Sequence, residues 1–231
     1  ATASVAAADV NFSGYARFGV AFGGATNSTD VTSRLRIQID TTAESDAGVA
    51  FGARVRIQQN EGSTGATNAA RFTATSGALT VAAGNIGGAL EFMPGQYPID
   101  LGLTGLGYEY VAYGFGGDAY SSEGLGASGS NGVEVMYSAG DFSAHVSASD
   151  TNDRVAMHGA YVINGWTVAL GYQDSSDATD TEMTATVGGK IGAASVGVGY
   201  GKTAAGVSHT VLSGGMDVGA ATNVEAYYAD K

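Results

Sequence analysis

The stretch SRLRIQIDTTAESDAGVAFGARVRIQ, residues 33–58, decides the fold. In its first half Leu35, Ile37 and Ile39 alternate with Arg34, Arg36, Gln38 and Asp40. In its second half Val49, Phe51, Ala53, Val55 and Ile57 alternate with Gly52, Arg54, Arg56 and Gln58. Successive side chains of a β-strand point to opposite faces, so each half is a ribbon with one oily and one charged face. A short turn joins the halves, which makes them antiparallel neighbours.

The same period of two runs outward in both directions. In DVNFSGYARFGVAF (9–22), Val10, Phe12, Phe18, Val20 and Phe22 share one parity, and Asn11, Ser13, Tyr15 and Arg17 share the other. Downstream, alternation recurs around Phe72, Leu79–Ala83, Val133–Tyr137, Phe142–Ala148, Val155–Tyr161, Trp166–Tyr172, Met183–Val187, Val196–Tyr200, Leu212 and Val224–Tyr228. This predicts thirteen strands and no helix. Short connections, among them Asn164-Gly165, alternate with longer polar ones at Gly23–Thr32, Asn60–Asn68, Asp150–Asp153, Asp174–Glu182 and Gly201–Ser208. Asn-Gly between alternating runs is a strong hairpin signal, and short turns at one end with long loops at the other fit an outer-membrane barrel. One connection is far longer: Asn85 to Asn131, rich in Gly, Tyr and acids. Such a segment between clear strands points to function.

Composition narrows the class. The 231 residues include 37 Gly, 2 Pro and no Cys, with 22 acids against 10 bases for a net charge of −12. Absence of cysteine excludes a disulfide framework and thiol chemistry. The acidic balance argues against nucleic acid as a partner, because duplex affinity rests on neutralising phosphate. A soluble β-sandwich shares the strand spacing. It does not explain the unbroken parity, the aromatics near strand ends (Tyr161, Trp166, Tyr172, Tyr200, Tyr227, Tyr228) or the long charged side chains on the second face. Aromatic girdles and a polar interior are what a lipid-spanning barrel requires.

Charge is distributed unevenly. Residues 1–80 carry six bases and six acids, and residues 81–231 carry four bases and sixteen acids. Arg17, Arg34, Arg36, Arg54, Arg56 and Arg71 all fall on the polar parity of the first strands, which lie about 4.8 Å apart, and would form a cationic patch. The long segment holds Glu91, Asp100, Glu109, Asp118 and Glu123. Folded inward, it would set carboxylates opposite the arginines and create a transverse field across a narrow aqueous gap.

The chain resembles the alphaproteobacterial general-diffusion porins, the type known from photosynthetic purple bacteria. The resemblance is carried by SGYARFGV (13–20), SRLRIQI (33–39), AESDAGVAFGARVRIQ (43–58), NAARF (68–72), VAAGNIGGAL (81–90), YSAGDFSAHVSASD (137–150) and NVEAYYAD (223–230). It implies an all-β, transmembrane, up-and-down barrel of sixteen strands, about thirteen of them present here. The third loop, residues 85–131, would fold into the lumen as an eyelet, with Gly107-Tyr108-Glu109 inside it. It further implies a homotrimer in the bacterial outer membrane, surrounded by lipid and lipopolysaccharide, through which small hydrophilic solutes and ions diffuse. An even strand count and the ending at Lys231 lead us to expect three further strands. Residues 1–8, ATASVAAA, read as a signal-peptide remnant, leaving 9–231 as barrel.

Enzymatic readings find little support. His145, His158 and His209 accompany abundant Ser and Asp, but neither a G-x-S-x-G elbow nor an H-E-x-x-H motif occurs. Asp174, Asp177, Asp180 and Glu182 offer oxygen ligands for calcium without the spacing of a calcium loop, so no cofactor is expected to be required. The remaining alternative is a barrel without a channel, serving adhesion or structure through its long loops.

Overall fold

The computed structural model describes residues 9–23, 28–97, 131–176 and 181–230. The proposed signal remnant at 1–8 and most of the expected eyelet, residues 98–130, lie outside the described residues.

The described chain forms one antiparallel sheet. Its strands are β1 (Asp9–Gly23), β2 (Ser28–Glu44), β3 (Ala50–Asn60), β4 (Ala66–Thr67), β5 (Arg71–Ser76), β6 (Leu79–Gly84), β7 (Gly132–Ala139), β8 (Phe142–Ser149), β9 (Val155–Ile163), β10 (Trp166–Asp174), β11 (Glu182–Ile191), β12 (Ala194–Lys202), β13 (Ser208–Gly219) and β14 (Thr222–Asp230). Each of the main strands pairs with the next in sequence, from β1 through to β14, and only β4 stands aside, paired with β3. This is the pairing order of an up-and-down meander. A single turn of 3-10 helix at Thr151–Asp153 interrupts the sheet pattern.

Local chemistry sets the hairpins. Asn164 and Gly165 both take positive φ (51° and 79°), the pair of left-handed residues that a tight two-residue turn demands. Two expected loops prove to hold strand. Residues Gly23 and Ser28 to Thr32 extend the β1–β2 hairpin, with Val20 opposite Val31 and Phe22 opposite Thr29. The polar run Ser28-Thr29-Asp30 hid this, although Thr is a good strand former. Within the expected loop 60–68, β4 pairs Thr67 with Ile57.

The two faces meet different surroundings. Even-numbered residues of β1 point outward, and Phe18 and Phe22 are 84% and 78% exposed. Phe12, Phe51, Phe72, Leu170, Leu212 and Tyr228 continue this apolar exterior from strand to strand. Water-soluble proteins rarely expose contiguous apolar patches beyond a few hundred Å², so this face is built for hydrocarbon. Trp166 also points outward, and its indole lies over Gly189 of β11, where a built Cβ would come within 2.5 Å of the ring. An aromatic laid across a strand glycine covers backbone that would otherwise be bare. Tyr137 and Phe142 make a comparable tilted pair at the β7–β8 turn, with centroids 6.4 Å apart.

The hydrophobic core is small and lies on the inner face. Ala89, Leu90 and Met93 pack with Ala156, Ala160 and Ala169 of β9 and β10. The chain leaving β6 therefore lies against the inside of the sheet.

Candidate functional site

Register places the arginines. Arg17 of β1 lies opposite Arg34 of β2, and Tyr15 opposite Arg36. Across the next seam Gln38 faces Arg56 and Asp40 faces Arg54, while Arg54 faces Arg71 of β5. All six arginines are half-buried on the inner face. Like charges directly opposite one another repel, so the wall needs compensation, and it is supplied mostly through Nε. Arg34 Nε donates to Asn60 Oδ1 (2.7 Å), Arg36 Nε to Gln58 Oε1 (2.7 Å) and Arg56 Nε to Gln38 Oε1 (2.9 Å). Arg54 Nε donates to Asp40 Oδ1 at 2.6 Å, and Gln38 Nε2 braces the other oxygen of that carboxylate at 2.7 Å. The Arg36 guanidinium lies 5.3 Å from the centroid of the Tyr15 ring, an attractive cation–π distance. These tethers fix the guanidinium planes along the wall.

Arg71 reaches further. The inner face of β6 carries only the short side chains of Thr80 and Ala82 beside Gly84, and across it Arg71 Nε donates to Glu134 Oε1 of β7 at 2.6 Å. Glu134 is 1% exposed, and a buried carboxylate persists only when paired and hydrogen-bonded. Its second oxygen accepts from His145 Nε2 of β8 at 3.1 Å. The sequence reading expected counter-charge from the long segment. Among the described residues, Arg54 and Arg71 are paired with acids of the wall itself, Asp40 and Glu134. Asp40 was within reach of register arithmetic, as an acid on the polar parity of a strand beside the arginine-bearing β3, whereas Glu134 lies one strand further off, across β6.

The long connection leaves the sheet where the neighbouring strand is broken. Between β4 and β5, Asn68 stays bonded to β3 through its backbone N, which donates to Arg56 O at 3.0 Å, while its side-chain Oδ1 accepts from Arg56 N at 2.6 Å. Asn85 fills the gap, donating from Nδ2 to Ala69 O (3.1 Å) and from its backbone N to Ala70 O (2.9 Å). Gly84 needs its positive φ of 96° here, and a Cβ would stand 2.5 Å from Ala70 O. From this point residues 85–97 cross the inner face strand by strand. Ala89 N donates to Ser147 Oγ of β8 (2.9 Å), and His158 Nδ1 of β9 lies 2.6 Å from Ala89 O. Leu90 and Met93 lie over Gly171 of β10. Gln96 Nε2 donates to Thr184 Oγ1 (2.9 Å), and Thr186 Oγ1 donates to Pro94 O (2.6 Å), both on β11.

Of the five acids expected on the segment, Glu91 alone is described. It is half-buried and accepts a hydrogen bond from the Tyr97 hydroxyl. Asp100, Glu109, Asp118 and Glu123 lie outside the described residues, as does the Gly107-Tyr108-Glu109 step. Of the acidic run, Glu182 is buried on the inner face, where Gln173 Nε2 (2.6 Å) and Ala204 N (3.3 Å) donate to it, and Asp174 is exposed. Asp177 and Asp180 lie outside the described residues. Among the described residues no three His, Asp or Glu side chains are grouped to hold a metal ion. His209 is buried on β13, apart in sequence and strand from the other two histidines.

Comparison with known proteins agrees with this geometry. A porin of Fuscovulum blasticum is 33% identical over 161 residues, covering 64% of this chain and 54% of the relative. A porin of Rhodobacter capsulatus is 29% identical over 236 residues, covering 96% of this chain and 67% of the relative. The chain thus spans about half the length of the first and two thirds of the second. Among solved structures, a mutant of Rh. blastica porin superimposes with a TM-score of 0.82 at 25% identity, covering 96% of this chain and 84% of the other. A second mutant of that porin gives 0.83 at 26% over the same shares. The meander is accordingly a transmembrane β-barrel wall, and these relatives are channel proteins rather than enzymes. The family model for Gram-negative porins matches residues 1–231, and with an oily exterior, a charged interior and a segment turned inward between them, the chain belongs to that family of the bacterial outer membrane.

Proposed function

We propose that the protein forms a water-filled pore for passive diffusion of small hydrophilic solutes and ions, narrowed by the inward segment. The observation that carries this reading is the arginine wall on the face opposite the exposed apolar side chains. Long charged groups spaced this closely are tolerated only where water reaches them. In this reading Arg17, Arg34, Arg36, Arg54, Arg56 and Arg71 form the basic side of the constriction. Glu91, Asp100, Glu109, Asp118 and Glu123 supply its acidic side from residues 85–131. The two sides impose a transverse field that orders water and selects polar solutes over lipophilic ones.

Assembly as a homotrimer embedded in lipid and lipopolysaccharide belongs to the same proposal, supported by membership of the family. The test is insertion of the protein into a planar bilayer under an applied voltage. Discrete, ohmic current steps are expected. Barrels that insert but pass no current would refute the pore.

A further inference from the structure

The arginines crowd the first strands, and the far end of the sheet is built differently. On the inner face of β11 to β14, Lys190, Ser195, Gly215 and Glu225 stand in one cross-strand row. Beside this row Gly188, Gly197 and Gly199 leave the wall without side chains, and a cavity of about 190 Å³ lies between them and Gly95 of the inward segment, with Glu225 in its lining. A second cavity, of about 380 Å³, shares Gly95, Gly188 and Ser195 with the first and has Lys190 in its lining. One trough thus carries a cation toward one side and a carboxylate toward the other. Ser195 Oγ donates to Gly215 O at 3.1 Å, so its hydroxyl lies along the row. A Cβ built on Gly215 would stand 3.3 Å from Glu225 Cγ, so the glutamate stem leans over β13 toward β12. Lys190 and Glu225 are both exposed, and neither makes a hydrogen bond or an ion pair among the described residues. Asp217, further along β13, differs: Asn223 Nδ2 donates to its Oδ1 at 2.9 Å.

Three strand spacings, about 14 Å in all, separate β11 from β14, which keeps the two charges from closing on each other. A solute that carries both signs can bridge them, its carboxylate on the Lys190 ammonium and its ammonium on the Glu225 carboxylate. A peptide spans at most about 3.3–3.6 Å per residue, so a chain of two or three residues brings its end charges to both groups once the two side chains have leaned inward. The glycine floor lets such a backbone lie close to the wall. Ser195 Oγ has committed its hydrogen to Gly215 and offers the peptide lone pairs. The row stands beside the turn that joins β11 to β12, at the short-turn end, which faces the periplasm in barrels of this plan. Resting on the pore reading above, we infer that Lys190 and Glu225 form a receiving site for di- and tripeptides with free ends at this mouth. Exposed ion pairs are weak singly, so the peptide is guided and then released, as conduction requires.

Uptake into vesicles that hold the protein tests this, with glycylglycine as the zwitterion and N-acetylglycinamide, of nearly equal size, as its uncharged counterpart. The ratio of the two rates does not depend on how many barrels have inserted. The unaltered pore should pass glycylglycine about two- to fivefold faster than the neutral amide, the gain expected of two weak ion pairs. In K190Q/E225Q that ratio should fall about twofold or more. The exchange K190E/E225K should bring it back, because a peptide turned end for end meets the same two charges. A ratio that K190Q/E225Q leaves unchanged, or one that the exchange leaves at the neutralised level, overturns the site, and continued entry of the neutral amide leaves the pore standing. Vesicles that admit neither solute refute the pore itself.

Discussion

Replacing Gly171 by Ala tests whether the seat of the inward segment governs the current. Gly171 lies on the inner face of β10 directly beneath Leu90 and Met93. A Cβ there would stand 2.5 Å from Leu90 Cδ2, 2.7 Å from Met93 Sδ and 2.9 Å from Thr184 Cγ2. Carbon contacts settle near 3.5–4.0 Å, so the segment must lift by about 1 Å or distort. Overpacking of this kind costs about 1–3 kcal/mol, and the adaptable Met93 places the effect toward the lower end. A bias of that size multiplies the ratio of lifted to seated segment roughly 5- to 150-fold. Alanine also restricts the unfolded chain, worth up to about 1 kcal/mol, but that gain acts on the whole barrel and favours neither position. Gly159, on the outward face of the adjacent β9 with nothing within 4 Å of its Cβ position, is the control. Single-channel recording should show altered mean conductance and more frequent fluctuations for G171A, and an unchanged trace for G159A. A G171A channel that matches the parent in both conductance and noise would refute the reasoning.

Other consequences can be checked independently. Neutralising Arg34, Arg36 and Arg54 together should move the reversal potential in a salt gradient toward cation preference; an unchanged potential would remove these residues from the permeation path. E134Q leaves Arg71 beside a neutral amide in a buried site, and breaking such a pair costs about 3–5 kcal/mol, visible as a lower unfolding midpoint in detergent. L170R puts a cation on the lipid face, where the cost reaches about 2–4 kcal/mol at mid-bilayer; refolding into vesicles should suffer, while conductance of the inserted fraction stays constant. Glu61, in the loop after β3, accepts a backbone hydrogen bond from Ser33 at 2.6 Å, which holds its carboxyl below the ordinary carboxylate value. Its contribution to loop order is therefore present above that ordinary value and lost as pH falls through the lower folded one. Titration of the Glu61 carboxyl by NMR should follow this sign.

The wall was legible because β1–β3 and β7–β14 face two solvents, and parity alone separates Phe51 from Arg54. Parity failed where neither solvent imposed it. On the β2 side the upper β1–β2 hairpin is the polar run Ser28, Thr29 and Asp30, in which Thr29 takes the outward face opposite Phe22 without an apolar side chain to mark it. Residues 85–97 show no period because they pack on a wall rather than in a ladder: Ala89 answers to β8 and β9, Leu90 and Met93 to β10, and Gln96 to β11. The counter-charges Asp40 and Glu134 were hidden for another reason. Reading each strand alone reveals which face a residue takes, but not which neighbour it meets. That depends on register, which the turns at 45–49 and the long segment set.

The placement of Trp166 over Gly189 gives the protein an optical label of its own. It is the sole tryptophan in the chain, so its emission arises from one outward-facing ring beside the β9–β10 turn. In water the half-buried indole emits toward the red; against acyl chains the emission moves blue, and quenchers carried at known lipid depths report how deep that turn sits. Folding into a bilayer can therefore be followed from one end of the wall without attaching a dye.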